Sequence, residues 1–252
     1  VYAYGVDVEF KSYSGNVVTM SGCTDVGVYG MYISHINNAN GQATIIEKTD
    51  EYVIAQTDPG YLPDLTDEKY YPTDSRYVEA FRPGETVPFA DIEFSGIEYL
   101  GGGRHRCTFG SANSRELAVG GKITLRGSGA SVVVLTDCSG VRFEDFSIIS
   151  GAGFGFQERN GEGGTELYRV AITTKAAPVL PDGFDTSKYT DGLIWTDAEG
   201  RLRGPQPLLS TCDATHSTNM RRGPQVVNCL FEKMTDDATN ISGEFGCVIG
   251  AN

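Results

Sequence analysis

Thr211-Cys212-Asp213-Ala214-Thr215-His216 returns in the chain as Thr235-Asp236-Asp237-Ala238-Thr239-Asn240, with four of six positions identical and an offset of 24 residues (211 to 235). A repeat of that period is read before any single element, because it decides the architecture. Strand-like runs recur at a similar spacing upstream. Val141-Arg142-Phe143-Glu144-Asp145-Phe146-Ser147-Ile148 is followed by Glu166-Leu167-Tyr168-Arg169-Val170-Ala171-Ile172, and then by Val226-Val227-Asn228-Cys229-Leu230-Phe231. Two solenoids have periods in the middle twenties. A leucine-rich repeat needs its LxxLxLxxN skeleton, which is missing here. A parallel β-helix needs short strands and variable turns, and both are present. In such a stack each coil adds one layer to every sheet, about 4.8 Å from the last. Residues one coil apart then share a face, and their backbones satisfy each other.

Outward from the repeat, the chain divides into three. Residues 1–40 hold early rungs, among them Val17-Val18-Thr19-Met20-Ser21-Gly22-Cys23 and Val26-Gly27-Val28-Tyr29-Gly30-Met31-Tyr32-Ile33. Residues 41–126 break the pattern. A Pro- and Asp-rich stretch from Thr57 to Pro72 lies among runs such as Ala43-Thr44-Ile45-Ile46-Glu47 and Lys122-Ile123-Thr124-Leu125. This predicts a small inserted antiparallel β-barrel or sandwich. Residues 127–252 return to rungs and carry the aspartates. A second insertion, Ala176 to Pro207, is polar, contains Trp195 and is expected to lie over the helix surface, where long loops are often functional. The expected fold is all-β: a right-handed parallel β-helix with an inserted small antiparallel barrel.

Composition agrees. The 32 glycines among 252 residues are nearly twice the usual share of about 7%, and they follow no Gly-X-Y repeat. With hydrophobic residues at 40%, disorder is excluded. The net charge of −13 makes nucleic acid and anionic membrane poor partners. The one dense basic pair, Arg221-Arg222, is too small for a phosphate track. A neutral ligand such as a sugar suits the charge better, although acidity also simply keeps a secreted protein soluble. No apolar run approaches the roughly 20 residues of a membrane span, and an extracellular or periplasmic location is expected. Val1 falls inside a strand-like alternation and the last residues carry no cap, so both ends look trimmed from something larger, leaving room for a homo-oligomer or larger assembly. The six cysteines (Cys23, Cys107, Cys138, Cys212, Cys229 and Cys247) form no zinc pattern and read as buried thiols ahead of disulfides. Asn240-Ile241-Ser242 is a glycosylation sequon. No cofactor or metal is expected.

The aspartates carry the chemistry. Asp213 and Asp237 share one register on consecutive coils, Asp236 precedes Asp237, and His216 and Asn240 match three residues later. Glycoside hydrolysis needs one protonated and one ionised carboxyl group. Clustered carboxylates separate their own pKa values, because each charge disfavours the next. A single turn aspartate more often only caps backbone amides, and an aspartate ladder can also hold calcium. Three aspartates in a repeated Asp-Ala-Thr setting shift the balance towards catalysis.

Several stretches resemble glycoside hydrolase family 110, the α-galactosidases that act on terminal α-1,3-linked galactose. They are Thr136-Asp137-Cys138-Ser139-Gly140-Val141, Gly153-Phe154-Gly155-Phe156-Gln157-Glu158, Leu209-Ser210-Thr211-Cys212-Asp213-Ala214-Thr215-His216 and Phe231-Glu232-Lys233-Met234-Thr235-Asp236-Asp237-Ala238-Thr239-Asn240. The resemblance implies a β-helix with an inserted barrel, an inverting mechanism, and catalytic roles for Asp213, Asp236 and Asp237. Cys212 departs from the small or polar residue expected there. Glu158, Trp195, His216 and Asn240 are the expected substrate-binding residues. Stacking places Asp213 and Asp237 about 5 Å apart, whereas inversion needs carboxyls about 6.5–9.5 Å apart. Asp213 is therefore expected on one side of the sugar, with the water-activating Asp236/Asp237 pair on the other. Two rivals remain. Polygalacturonase-like hydrolases would add a Gly-His-Gly turn and an Arg-x-Lys segment, and neither occurs before Asn252. A non-catalytic structural or carbohydrate-binding β-helix, a fibre or surface-layer component, would bury the carboxylate patch in a chain–chain contact.

Overall fold

The computed structural model describes residues 1–11, 15–35, 40–71, 77–127, 129–189 and 192–243; Cys247 lies outside them. The described chain is all-β, and two kinds of pairing divide it. Strands Val18–Ser21, Val133–Thr136, Phe156–Arg159, Thr215–Thr218 and Thr239–Ser242 form one parallel sheet. Gly27–His35 serves two further ladders. Its first half pairs with Arg142–Glu144, which leads to Glu166–Tyr168 and Gln225–Val227. Its second half pairs with Ser147–Ile149, which leads to Ala171–Thr173 and Leu230–Phe231. Every pairing here is parallel, and the chain returns to the same three ladders in turn, two of them joined through Gly27–His35 into one eight-stranded sheet. Tyr2–Phe10 adds a parallel strand along Gly27–His35.

Each of the three runs read as one strand from sequence is two short strands meeting at a corner. The corner residues are Asp145, Arg169 and Asn228, with φ of 52°, 53° and 53°. Gly30 takes φ 77° at the corresponding level of Gly27–His35. A second set of corners holds Gly22, Asp137, Asn160 and Asn219, all with positive φ. Left-handed backbone is costly for most L-residues and tolerated by Gly, Asn and Asp, which is why these residue types punctuate the strands. Arg169 is the exception; its guanidinium binds Asp145 (Nε to Oδ1, 2.6 Å) and Glu144 (Nη2 to Oε1, 2.7 Å) on the neighbouring circuit. At Gly163, also at positive φ, a side chain would run into the Arg222 carbonyl of the next circuit.

Inside the circuits lies one core built on Val28, Ile33, Val133, Leu135, Phe143, Phe146, Ile148, Phe156, Leu167 and Ile172. The strand period of two sends alternate residues in. The rings of Phe143, Phe146 and Phe156 meet at 4.9–5.7 Å between centroids.

The inserted segment is a closed antiparallel barrel. Its strands run in the order Gly41–Lys48, Tyr52–Thr57, Arg104–Phe109, Ala90–Gly101, Tyr77–Phe81, Lys122–Leu125 and back to the first. It has its own core, including Ile45, Val53, Ile92, Phe94, Ile123 and Leu125. Phe81 leaves that core and packs on Leu208 and Leu209, just ahead of the Asp213 repeat. Asn40 Nδ2 donates to the Ser210 carbonyl at 3.2 Å, and the Leu208 amide donates to Gln42 Oε1 at 2.9 Å. These contacts seat the barrel against the circuits beside the aspartates.

The described cysteines, Cys23, Cys107, Cys138, Cys212 and Cys229, are free thiols. Burial pushes Cys107 up to about 12.

Candidate carboxylate site between barrel and circuits

The repeat Asp-Ala-Thr-His/Asn folds into the same local structure twice. Thr215–Thr218 and Thr239–Ser242 pair in register, with His216 opposite Asn240. The Ala214 amide donates to the Asp237 carbonyl at 3.0 Å, which carries the ladder back to the aspartates. Asp213 Oδ2 lies 2.7 Å from His216 Nδ1, and Asn240 Nδ2 donates to Asp237 Oδ2 at 2.9 Å. Each aspartate thus holds the residue three positions on. One circuit earlier Gln157 stands opposite His216, so Gln157, His216 and Asn240 form one row. The Phe154 ring stacks on His216, with 4.5 Å between centroids and 20° between planes.

The three aspartates differ in surroundings. Asp213 is buried, and its other oxygen, Oδ1, accepts from Cys212 Sγ at 3.3 Å. Asp237 and Asp236 are exposed. Donor atoms of Cys212, Asp213 and Asp236 all lie within 4.8 Å of one another. A metal would require the thiolate, but burial pushes the Cys212 thiol up to about 12, and it donates a hydrogen bond instead. The Asp236 carboxyl is raised, first by desolvation and then by the charges of Asp213 and Asp237; Arg126 opposes the shift.

Asp236 opens onto a cleft of about 340 Å³ between the circuits and the barrel. Thr235 and Met234 continue its wall on one side, and Glu79, Pro88, Phe89, Ala90 and Asp91 form the barrel side. Glu79 and Asp91 are direct cross-strand partners in the barrel. Glu79 is 8% exposed, and its Oε2 has no hydrogen-bond partner among the described residues. Burial, then the charge of Asp91, then that of Asp236 raise its carboxyl to about 8, against the pull of Arg126.

None of the four expected substrate-binding residues lines this cleft: His216 and Asn240 stand in the row beside the aspartates, and the other two lie elsewhere. Glu158 is buried inside the circuits, where Thr165 Oγ1 (2.6 Å) and Ser217 Oγ (2.5 Å) donate to its carboxylate. Strand alternation sends it inward, while its neighbour Gln157 lies in the His216 row. Trp195 sits on a two-stranded antiparallel ribbon, Trp195–Thr196 with Leu202–Arg203, and is 48% exposed. The loop that bears it docks through Pro178 and Gly204 on Pro59 and Gly60 of the barrel, and contributes no residue to the cleft wall.

A third correction concerns the aspartates themselves. Asp213 does not face Asp236 across a gap; the two lie on the same side, within 4.8 Å. Register explains this, because residues one circuit apart stack at the sheet spacing. The opposite wall belongs to Glu79 and Asp91. For Glu79 the sequence carried one signal, a lone carboxylate within the otherwise apolar-aromatic run Tyr77-Val78-Glu79-Ala80-Phe81. Phe154 carried none beyond its glycine neighbours.

No protein-family model matches the chain, and no curated protein matches it.

Proposed function

We propose that the chain is a glycoside hydrolase built on a right-handed parallel β-helix, with its inserted barrel forming one wall of the substrate cleft. The observation that carries this reading is the open cleft in which Asp236 and Glu79 both have carboxyls raised above their ordinary range. Two carboxyls in one cleft, one protonated and one ionised, are what glycoside hydrolysis requires. An ionised Asp236 with a raised pKa is also a better base than an ordinary carboxylate. Asp213 and Asp237 act by pressing their charge on it, and the Asp213–His216–Phe154 assembly holds that charge in place.

The substrate follows from the same features. An acidic cleft repels uronates, which sets the polygalacturonase-like reading aside. A neutral sugar suits it, and the motif resemblance points to terminal α-linked galactose, with α-1,3 the first linkage to test. Asp236 faces an open cleft, which favours an enzyme over a fibre component.

The test is incubation of the chain with α- and β-linked galactosides, with the anomers followed by NMR. Cleavage of the α-galactoside with β-galactose as first product is expected. Asp236→Asn should lower turnover by roughly 10²–10⁴-fold while leaving the fold intact by circular dichroism. Wild-type turnover in Asp236→Asn would remove it from the chemistry.

A further inference from the structure

We propose that Glu79, carried by the inserted barrel, is the proton donor of this site and works across the cleft from Asp236. This rests on the glycosidase reading above.

Position is the first ground. Glu79 and Asp236 line one cleft from two separately built units, the barrel and the circuits. Asp213 cannot fill the donor's place: both of its oxygens are engaged, and it stands beside Asp236 on the same wall. A donor on the far wall leaves room for a sugar and a water, as an inverting geometry demands.

The second ground is the side chain itself. Glu79 lies more than nine-tenths buried at the wall of the cleft, and its Oε2, itself buried, has no hydrogen-bond partner among the described residues. A buried polar oxygen left without a partner costs stability. The third ground is protonation. The charged groups acting on Glu79 are Asp91 from the next barrel strand, Arg126 after Lys122–Leu125, and Asp236 from the circuits. Two of the three are acidic, and together with burial they keep the carboxyl protonated up to about pH 8.

The step balances. The Glu79 proton moves to the glycosidic oxygen as the bond from that oxygen to the anomeric carbon breaks, its electron pair going to the oxygen. Water bonds to the anomeric carbon from the opposite face and gives its proton to Asp236. Exchange with solvent then reprotonates Glu79 and deprotonates Asp236.

The experiment compares two substrates with the full chain, an α-1,3-linked galactose disaccharide and 2,4-dinitrophenyl α-galactoside, whose leaving group departs without a proton. Glu79→Gln is expected to lose roughly 10²–10⁴-fold in kcat on the disaccharide and under about tenfold on the dinitrophenyl substrate. Asp236→Asn should lose both. Wild-type rates in Glu79→Gln, or an equal loss on both substrates, overturn the proposal. If Asp236→Asn is inactive in that case, the glycosidase reading survives it. The wild-type chain supplies a second readout that needs no variant. Its kcat/KM on the disaccharide should fall above about pH 8, with no matching fall on the dinitrophenyl substrate; a limb shared by both, or none, overturns Glu79 as donor. A wild-type chain that cleaves no galactoside overturns both readings.

Discussion

The barrel and the stacked circuits solve the same problem, satisfying every strand's backbone, in opposite ways. In the barrel each strand pairs antiparallel and the ring closes, so no edge is left. Among the circuits each strand pairs in parallel with one a full circuit away, and among the described residues the first and last strands of the stack have a partner on one side only. Both units expose apolar side chains, the barrel at Val87, Tyr99, Leu100 and Val119 and the circuits at their outer strands. Tyr2, Tyr4 and Val6 lie on one edge strand, and Val226, Val227, Leu230 and Ile241 on the strands of the other edge. The barrel can be inserted between Val18–Ser21 and its partner Val133–Thr136 at little cost, because loop-closure entropy grows only logarithmically with length. Two units with separate cores then meet along one seam, and the carboxylate cleft lies on that seam.

The strongest way to break this comparison is to cut a ring from each core. Phe143→Ala and Phe94→Ala should each cost about 3–5 kcal/mol. Hydrogen exchange should separate them. Phe143→Ala is expected to loosen the circuits on either side of residues 142–144 and leave the barrel protected, whereas Phe94→Ala should deprotect all six barrel strands together. Loss of protection throughout the molecule in both variants would show one cooperative unit instead of two.

A smaller effect tests the seam. Glu79 has its carboxyl raised from 4.5 to about 8 in the folded chain. Below pH 4 it is protonated in folded and unfolded chains alike and contributes no pH dependence. As pH rises from 4.5 towards 8 the unfolded chain releases the proton while the folded chain keeps it, so this residue makes stability fall across that window. Glu79→Gln should therefore raise Tm relative to wild type at pH 8–9 and bring little gain at pH 4. An equal Tm difference at both pH values would mean that the carboxyl titrates normally.

The smallest effect sharpens the circuits alone. Asn219 holds a corner at φ 55°. Asn219→Val should cost about 1–2 kcal/mol through the left-handed backbone, and Asn219→Gly should stay near wild type, both read from denaturant midpoints. Similar losses in the two variants would assign the cost to the side chain and not to the corner.

The all-β class, the period of 24, the barrel beginning at Gly41 and the paired aspartates were legible because they are local: strand alternation, turn residues and a repeated hexapeptide state them in the order of the chain. The corners were half legible. Asn and Asp marked them, but Arg169 also adopts a left-handed corner, with its guanidinium bound by Asp145 and Glu144 of a neighbouring circuit. Glu158 looked like a cleft residue from its motif, and strand parity turned it inward to Thr165 and Ser217. The far wall of the site could not be read at all. Glu79 and Asp236 are separated by more than half the chain, and contacts such as Phe81 on Leu208 and Leu209, Asn40 with Ser210 and Gln42 with Leu208 bring their two units together. A sequence states residue types and periods, whereas the protonation of Glu79 is set by burial and by charges that arrive from other elements, and both exist only once the barrel has docked.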